Sequence, residues 1–172
     1  MQLNGLLYIF PKELKLLIAV FLVLINIGFF SALLMVENTT SMNTTGIQEN
    51  YLGNEADENA VEMKFQKSEN QVLGIIHSHI LTMSFLFFLM GIFVSLTKMP
   101  QKLKLFLMLE PFLSILLTFG GIYFLWKGIT WFKYIIIFSG SLMTITFIVS
   151  SIIIFYQLVV PKSFENNKGL KE

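Results

Sequence analysis

Four long apolar runs, separated by connections that carry lysine, restrict what this chain can become more than any other feature. They cover Leu16 to Val36, Gln71 to Thr97, Leu103 to Trp126 and Tyr134 to Val160. A hydrocarbon core of about 30 Å is crossed by roughly 20 helical residues, so each run is long enough to span it. In lipid every backbone N–H and C=O must find its partner internally, which makes each run a helix. Composition agrees: 55% of residues are apolar, 13% are charged and the mean hydropathy is +0.71. A water-soluble domain built this way would lack the polar surface to cover itself. The expected fold is all-α, an integral membrane four-helix bundle with antiparallel up-down connectivity, and residues 1–172 form a single transmembrane domain.

Charge and cysteine content remove whole classes of function. The formal net charge is +1 and the chain holds no Arg, so no basic face exists for nucleic acid. With no Cys there is no disulfide, thiolate metal site or thioether-linked haem. No small-x-small cleavage site follows the first apolar run cleanly, and its core exceeds a signal peptide's usual ~7–15 residues. It reads as an uncleaved signal anchor.

Lysine placement sets the expected orientation. Lys12, Lys15, Lys98, Lys102, Lys104, Lys162, Lys168 and Lys171 fall on one side of the runs, and Lys64, Lys67, Lys127 and Lys133 on the other. The positive-inside rule then places both termini in the cytoplasm of an inner membrane. Residues 37–70 become an acidic outer loop, with an Asn/Thr-rich opening followed by Glu49, Glu55, Asp57, Glu58, Glu62 and Glu69. Interspersed apolar residues suggest a short amphipathic helix around Ala56 to Phe65. Tyr123, Trp126, Trp131 and Tyr134, with Lys127 and Lys133, have the composition of an interfacial aromatic belt. Short connections between the later spans require sequential spans to pack as antiparallel neighbours.

Chemistry-bearing candidates follow from helical faces at about 100° per residue. On the second span His77 shares a sector with Ser84, Gly91 and Ser95, which is expected to face the bundle interior because small residues admit a neighbouring backbone. His79 falls with Met83 and Met90. Two His at i and i+2 on a regular helix point about 160° apart, which argues against a simple metal clip. On the third span Glu110, Ser114, Gly121 and Gly128 group together. Glu110 is the only acidic residue within any run, and an intramembrane carboxyl is a site hypothesis, set here against interfacial solvation or pairing with Lys102 or Lys104. Pro111 frees the Leu107 carbonyl and allows a kink beside it. Gly140, Thr144 and Ser151 share a face of the fourth span, Asn26 lies near the middle of the first, and these residues are assigned to interior packing.

The stretch Ile75-Ile76-His77-Ser78-His79-Ile80-Leu81, followed by Phe87-Phe88-Leu89-Met90-Gly91, resembles the second span of small, functionally uncharacterised four-span bacterial inner-membrane proteins of Bacteroidetes type. In those a His-x-His pair opens a Phe- and Leu-rich helix. Residue usage rich in Ile, Lys and Asn, and the passage Leu117-Thr118-Phe119-Gly120-Gly121-Ile122-Tyr123, are similar to the same group. A fainter likeness is to the haem–copper oxidase catalytic subunit, which also sets a His-x-His pair near a helix end but needs many more spans and further His. The resemblance implies an inner-membrane protein and supplies no activity.

Three functional expectations result. The favoured one is a noncatalytic accessory or assembly subunit, embedded in the bilayer beside other membrane subunits or as a homo-oligomer. Its sharper version associates with haem or copper through His77, His79 and Met83. The alternative is a proton or ion pathway using Glu110 and His77. An enzyme is unmotivated, since no nucleophile–base pair or phosphate-cradling loop occurs. The lysine asymmetry gives the first expected outcome: a reporter fused after Lys171 is active only in the cytoplasm, and one inserted at Gly53 only outside. The reverse activity pattern would overturn the orientation.

Overall fold

The computed structural model describes residues 4–57, 60 and 62–160, so Lys162, Lys168, Lys171 and Glu58 lie outside the described residues. A 3₁₀ turn, Leu6–Ile9, precedes five α-helices: α1 Lys12–Thr40, α2 Thr44–Leu52, α3 Glu69–Leu96, α4 Gln101–Trp126 and α5 Phe132–Val159. Four of these, α1, α3, α4 and α5, are long and apolar enough to cross a membrane. The shortest of the four has 26 residues, about 39 Å at 1.5 Å per residue, which exceeds the hydrocarbon thickness. The protein is a multi-pass membrane bundle, and no strand occurs among the described residues.

Local chemistry marks the helix boundaries. Ser68 and Gln71 form a reciprocal capping box at the start of α3, satisfying two otherwise orphaned N–H groups. Asn43 caps α2, its Oδ1 accepting from the Gly46 N–H at 2.7 Å. Pro11 and Pro100 stand immediately before α1 and α4, where their missing N–H costs nothing. α1 ends as Ser41 and Met42 turn left-handed, with φ of 49° and 47°.

α4 lies at the centre, packed against α5 on one side and α3 on the other, as their short connections require. Half of α4's apolar window is buried, against 17% for α1. The first helix is peripheral: it rests on α5 through a Phe29–Phe147 ring stack at 4.0 Å and an Asn26 to Ser151 hydrogen bond of 3.3 Å, and it reaches α3 where Phe21 meets Phe93 edge-on. Asn26 also donates to the Leu22 carbonyl of its own turn.

The connection between α1 and α3 differs from the expectation of a helix around Ala56 to Phe65. The described residues there are not helical, and the helix forms earlier, at Thr44–Leu52. The physical reason is the Asn43 cap together with Gly46, which lets α2 fold back onto the end of α1; a Cβ at Gly46 would collide with the Thr40 carbonyl. α2 then packs against α4 and α5 near the connection between them, burying Ile47 and Tyr51. Polar ties hold it down: Lys133 Nζ donates to Gln48 Oε1 at 2.8 Å, Lys67 Nζ to Asn50 Oδ1 at 3.1 Å, and Trp126 Nε1 to the Lys67 carbonyl at 2.8 Å. Lys127 sits over the Trp126 and Tyr123 rings and pairs with Glu69 at 3.7 Å, so aromatic residues and lysines do share this end.

Two outcomes test this arrangement. Gly46→Ala should lower stability by about 1–3 kcal/mol through overpacking, read as a reduced thermal midpoint in detergent. Burial pushes the Tyr51 phenol up to about 12, above an unfolded value of about 10. The folded state therefore holds this proton more tightly, and stability is unaffected by Tyr51 below about pH 10 and falls as pH rises towards 12. Tyr51→Phe should flatten that part of the pH–stability curve relative to wild type.

Candidate functional site

Polar residues in the bundle fall into three places. The first is the N-terminal half of α3. Its buried side is set by Val72, Phe87, Met90, Gly91 and Val94. His77 was expected in the interior, but it is exposed on the chain's surface, as is His79. The sector containing His77 passes from core to surface along the helix: Gly91 is buried, Ser84 and Ser95 are half-buried, and His77 is open. The reason is that α3 is covered chiefly by α4, with lesser contact from α5, so large apolar residues define its inner side. His79 is the one that reaches back, with Nδ1 2.8 Å from the Ile75 carbonyl and its ring 5.0 Å from that of Phe119. Met83 is partly buried and packs against the core. His77, His79 and Met83 therefore do not converge, and no group of three metal-binding side chains of the His/Cys/Asp/Glu type occurs among the described residues.

The second place is the seam between α4 and α5. Glu110, Ser114, Thr118 and Gly121 line α4, and Ser139, Met143, Thr146 and Ser150 line α5, all of them buried. Their spacing of three and four residues keeps each set on one face. Gly121 brings the backbones together, since a Cβ there would stand 2.9 Å from Ile136 Cγ1. Three residues along, Thr118 Oγ1 and Ser139 Oγ share a hydrogen bond of 2.7 Å. Ser114 donates to Glu110 Oε1, while Glu110 Oε2 is buried without a partner. Gly140 and Thr144 lie beside this seam, half-buried, and Thr144 bonds the Gly140 carbonyl of its own helix. Gly128, grouped with Glu110 by helical phase, stands beyond the end of α4 with φ of 94° and is exposed.

The third place is the end of the bundle opposite α2. Lys104 is 5% exposed, and its ammonium donates to Asn4 Oδ1 at 3.0 Å and to the Ser95 and Thr97 carbonyls at 3.0 and 2.7 Å. All three protons are used, by neutral oxygens. Beside it the Gln157 amide takes both polar groups of the Lys98 backbone, accepting from N–H at 2.7 Å and donating to C=O at 3.1 Å. Gly5 N–H reaches the Leu96 carbonyl at 3.1 Å, and Leu7 of the 3₁₀ turn is wholly buried.

Sequence reasoning placed Lys104 among the surface cations and passed over Gln157, Ser139, Thr146 and Ser150. The signal for the last three was their register with Gln157, since Ser139, Thr146, Ser150 and Gln157 recur at seven, four and seven residues along one face of α5. Lys104→Met should lower stability by roughly 1–3 kcal/mol, because it strands the buried Thr97 carbonyl and the part-buried Ser95 carbonyl. Lys102→Met, at an exposed position, should change it by no more than about 0.5 kcal/mol. Thermal unfolding of both variants in the same detergent makes the comparison.

No curated protein and no solved structure matches the chain. A family model described as a transmembrane helical domain matches residues 41–165, more than half of the sequence and the whole of α2 to α5. With four apolar helices of spanning length and this match across the bundle's centre, the chain belongs to the Aq_1264_TM family of transmembrane helical domains.

Proposed function

We propose that this protein is a noncatalytic accessory or assembly subunit of an inner-membrane complex, and that it docks another transmembrane helix on the outer half of α3. The observation that carries this reading is the exposure of His77, eight residues into a helix that crosses the membrane. That is about 12 Å from the helix start by rise. An imidazole facing lipid at such a depth is unfavourable, whereas one facing a second helix can share a hydrogen bond. Gly74, Ser78 and Thr82 follow one another at four-residue intervals on the same exposed arc. Small residues so spaced let a neighbouring backbone approach closely. Ser78 and Thr82 already return their hydroxyls to carbonyls of their own helix, at 2.8 and 2.7 Å, so His77 is the group left to bond across.

Both termini are placed in the cytoplasm on the strength of the lysine partition. A single proton or ion path through both Glu110 and His77 draws no support from the geometry. The carboxyl lies within the α4–α5 seam and the imidazole on the outside of α3. Haem or copper is left out of the proposal, since any such group would need ligands from a second chain.

Photocrosslinking in native membranes tests the docking face. A photoreactive residue replacing Ser78 should give a discrete protein adduct, and one replacing Leu116, an exposed position on α4, should give lipid adducts only. An adduct of two copies of this chain identifies a homo-oligomer, and one of different mass a partner subunit. Lipid adducts alone at both positions would falsify the docking role.

A further inference from the structure

Glu110 is a carboxyl group enclosed by protein at membrane depth. Only 7% of its surface is exposed, Oε1 accepts from Ser114, and Oε2 is buried with no hydrogen-bond partner. The helices packed on α4 bring no charge to it. The pairing of Thr118 with Ser139 and of Gly121 with Ile136 fixes an antiparallel register that sets Thr146, Phe147 and Ser150 of α5 level with Glu110. The contact of His79 with Phe119 likewise sets Phe87 and Phe88 of α3 at that level. None of these is titratable. On α4 itself the nearest charged groups are Lys104, whose three protons are taken by Asn4, Ser95 and Thr97, and the exposed Lys102.

An ionised carboxylate in this place would be a buried charge without a counter-ion among the described residues, an arrangement that desolvation strongly disfavours. A cation beside it would offset that cost. A hard metal ion gathers about six oxygens or more, and the bonded shell of Glu110 contributes one hydroxyl. A proton needs only the carboxyl oxygen. Pro111, the next residue, has no N–H to give to the Leu107 carbonyl one turn back.

We propose that Glu110 is a proton-exchange site, taking up and releasing a single proton within the α4–α5 seam. The nearer end of α4 is the Lys104 end. Glu110 stands nine residues from Gln101 and sixteen from Trp126, or about 14 Å against about 24 Å by helix rise. This inference rests on the α4–α5 seam and is independent of docking on α3.

Infrared difference spectroscopy on the full-length protein in liposomes tests it, with bulk pH stepped up and down in H₂O and D₂O. The expected result is a protonated-carboxyl C=O band that appears reversibly on acidification, shifts in D₂O and is missing in Glu110→Gln. Ser114→Ala keeps the carboxyl but removes its hydrogen bond, so the band should move to higher frequency. That shift assigns the band even where Glu110→Gln does not fold. A band common to wild type and Glu110→Gln, a band indifferent to pH or D₂O, or one unmoved by Ser114→Ala overturns the proposal. So does its loss when sodium chloride replaces choline chloride at constant pH, which would assign the site to a metal cation.

Discussion

The close approach of α4 and α5 at Gly121 is the contact on which the rest of the bundle depends. With no side chain there, Ile136 can lie against the α4 backbone, and the two helices come near enough for Thr118 and Ser139 to bond directly. Lipid tails are as apolar as leucine, so burying hydrocarbon gives little reason for two spans to associate; close packing and interhelical hydrogen bonds must do so. The seam supplies both. Once α4 is fixed against α5, its opposite side is available to α3, and the groove above the pair receives α2.

The peripheral position of α1 follows from the same reasoning. Its sequence is long and apolar but offers Asn26 as its main polar group at depth, and the single bond to Ser151 with the Phe29–Phe147 stack is what it finds on α5. Most of its apolar surface remains for lipid. The family match begins after it and takes in the four helices that pack around the seam.

The spans were legible because run length is dictated by bilayer thickness, and the sector holding Glu110, Ser114 and Gly121 was legible because small and polar residues recur on it at helical spacing. The orientation of α3 was not. Periodicity states which residues share a face, but which face is covered depends on neighbours, and α3 turns Phe87 and Met90 inward while His77 is left outside. Lys104 was hidden for another reason: a lysine near the start of a spanning helix has the same sequence signature whether water or backbone carbonyls solvate its ammonium. The serines and threonine of α5 gave a weak signal because hydroxyls can bond carbonyls of their own helix anywhere along a span. α2 was misplaced because its cap and its glycine, rather than its apolar residues, decide where it forms.

The Lys104 cluster has a consequence for how the chain assembles. Asn4 and Gly5 precede all four spans, yet their partners are the side chain of Lys104 and the carbonyl of Leu96. α1 likewise has its ring stack and hydrogen bond on α5, which follows the other three spans in the chain. During synthesis, then, the N-terminal turn and the first span have no finished surface to settle on until the other three spans have entered the bilayer. The 3₁₀ turn and α1 thus close the bundle rather than nucleating it.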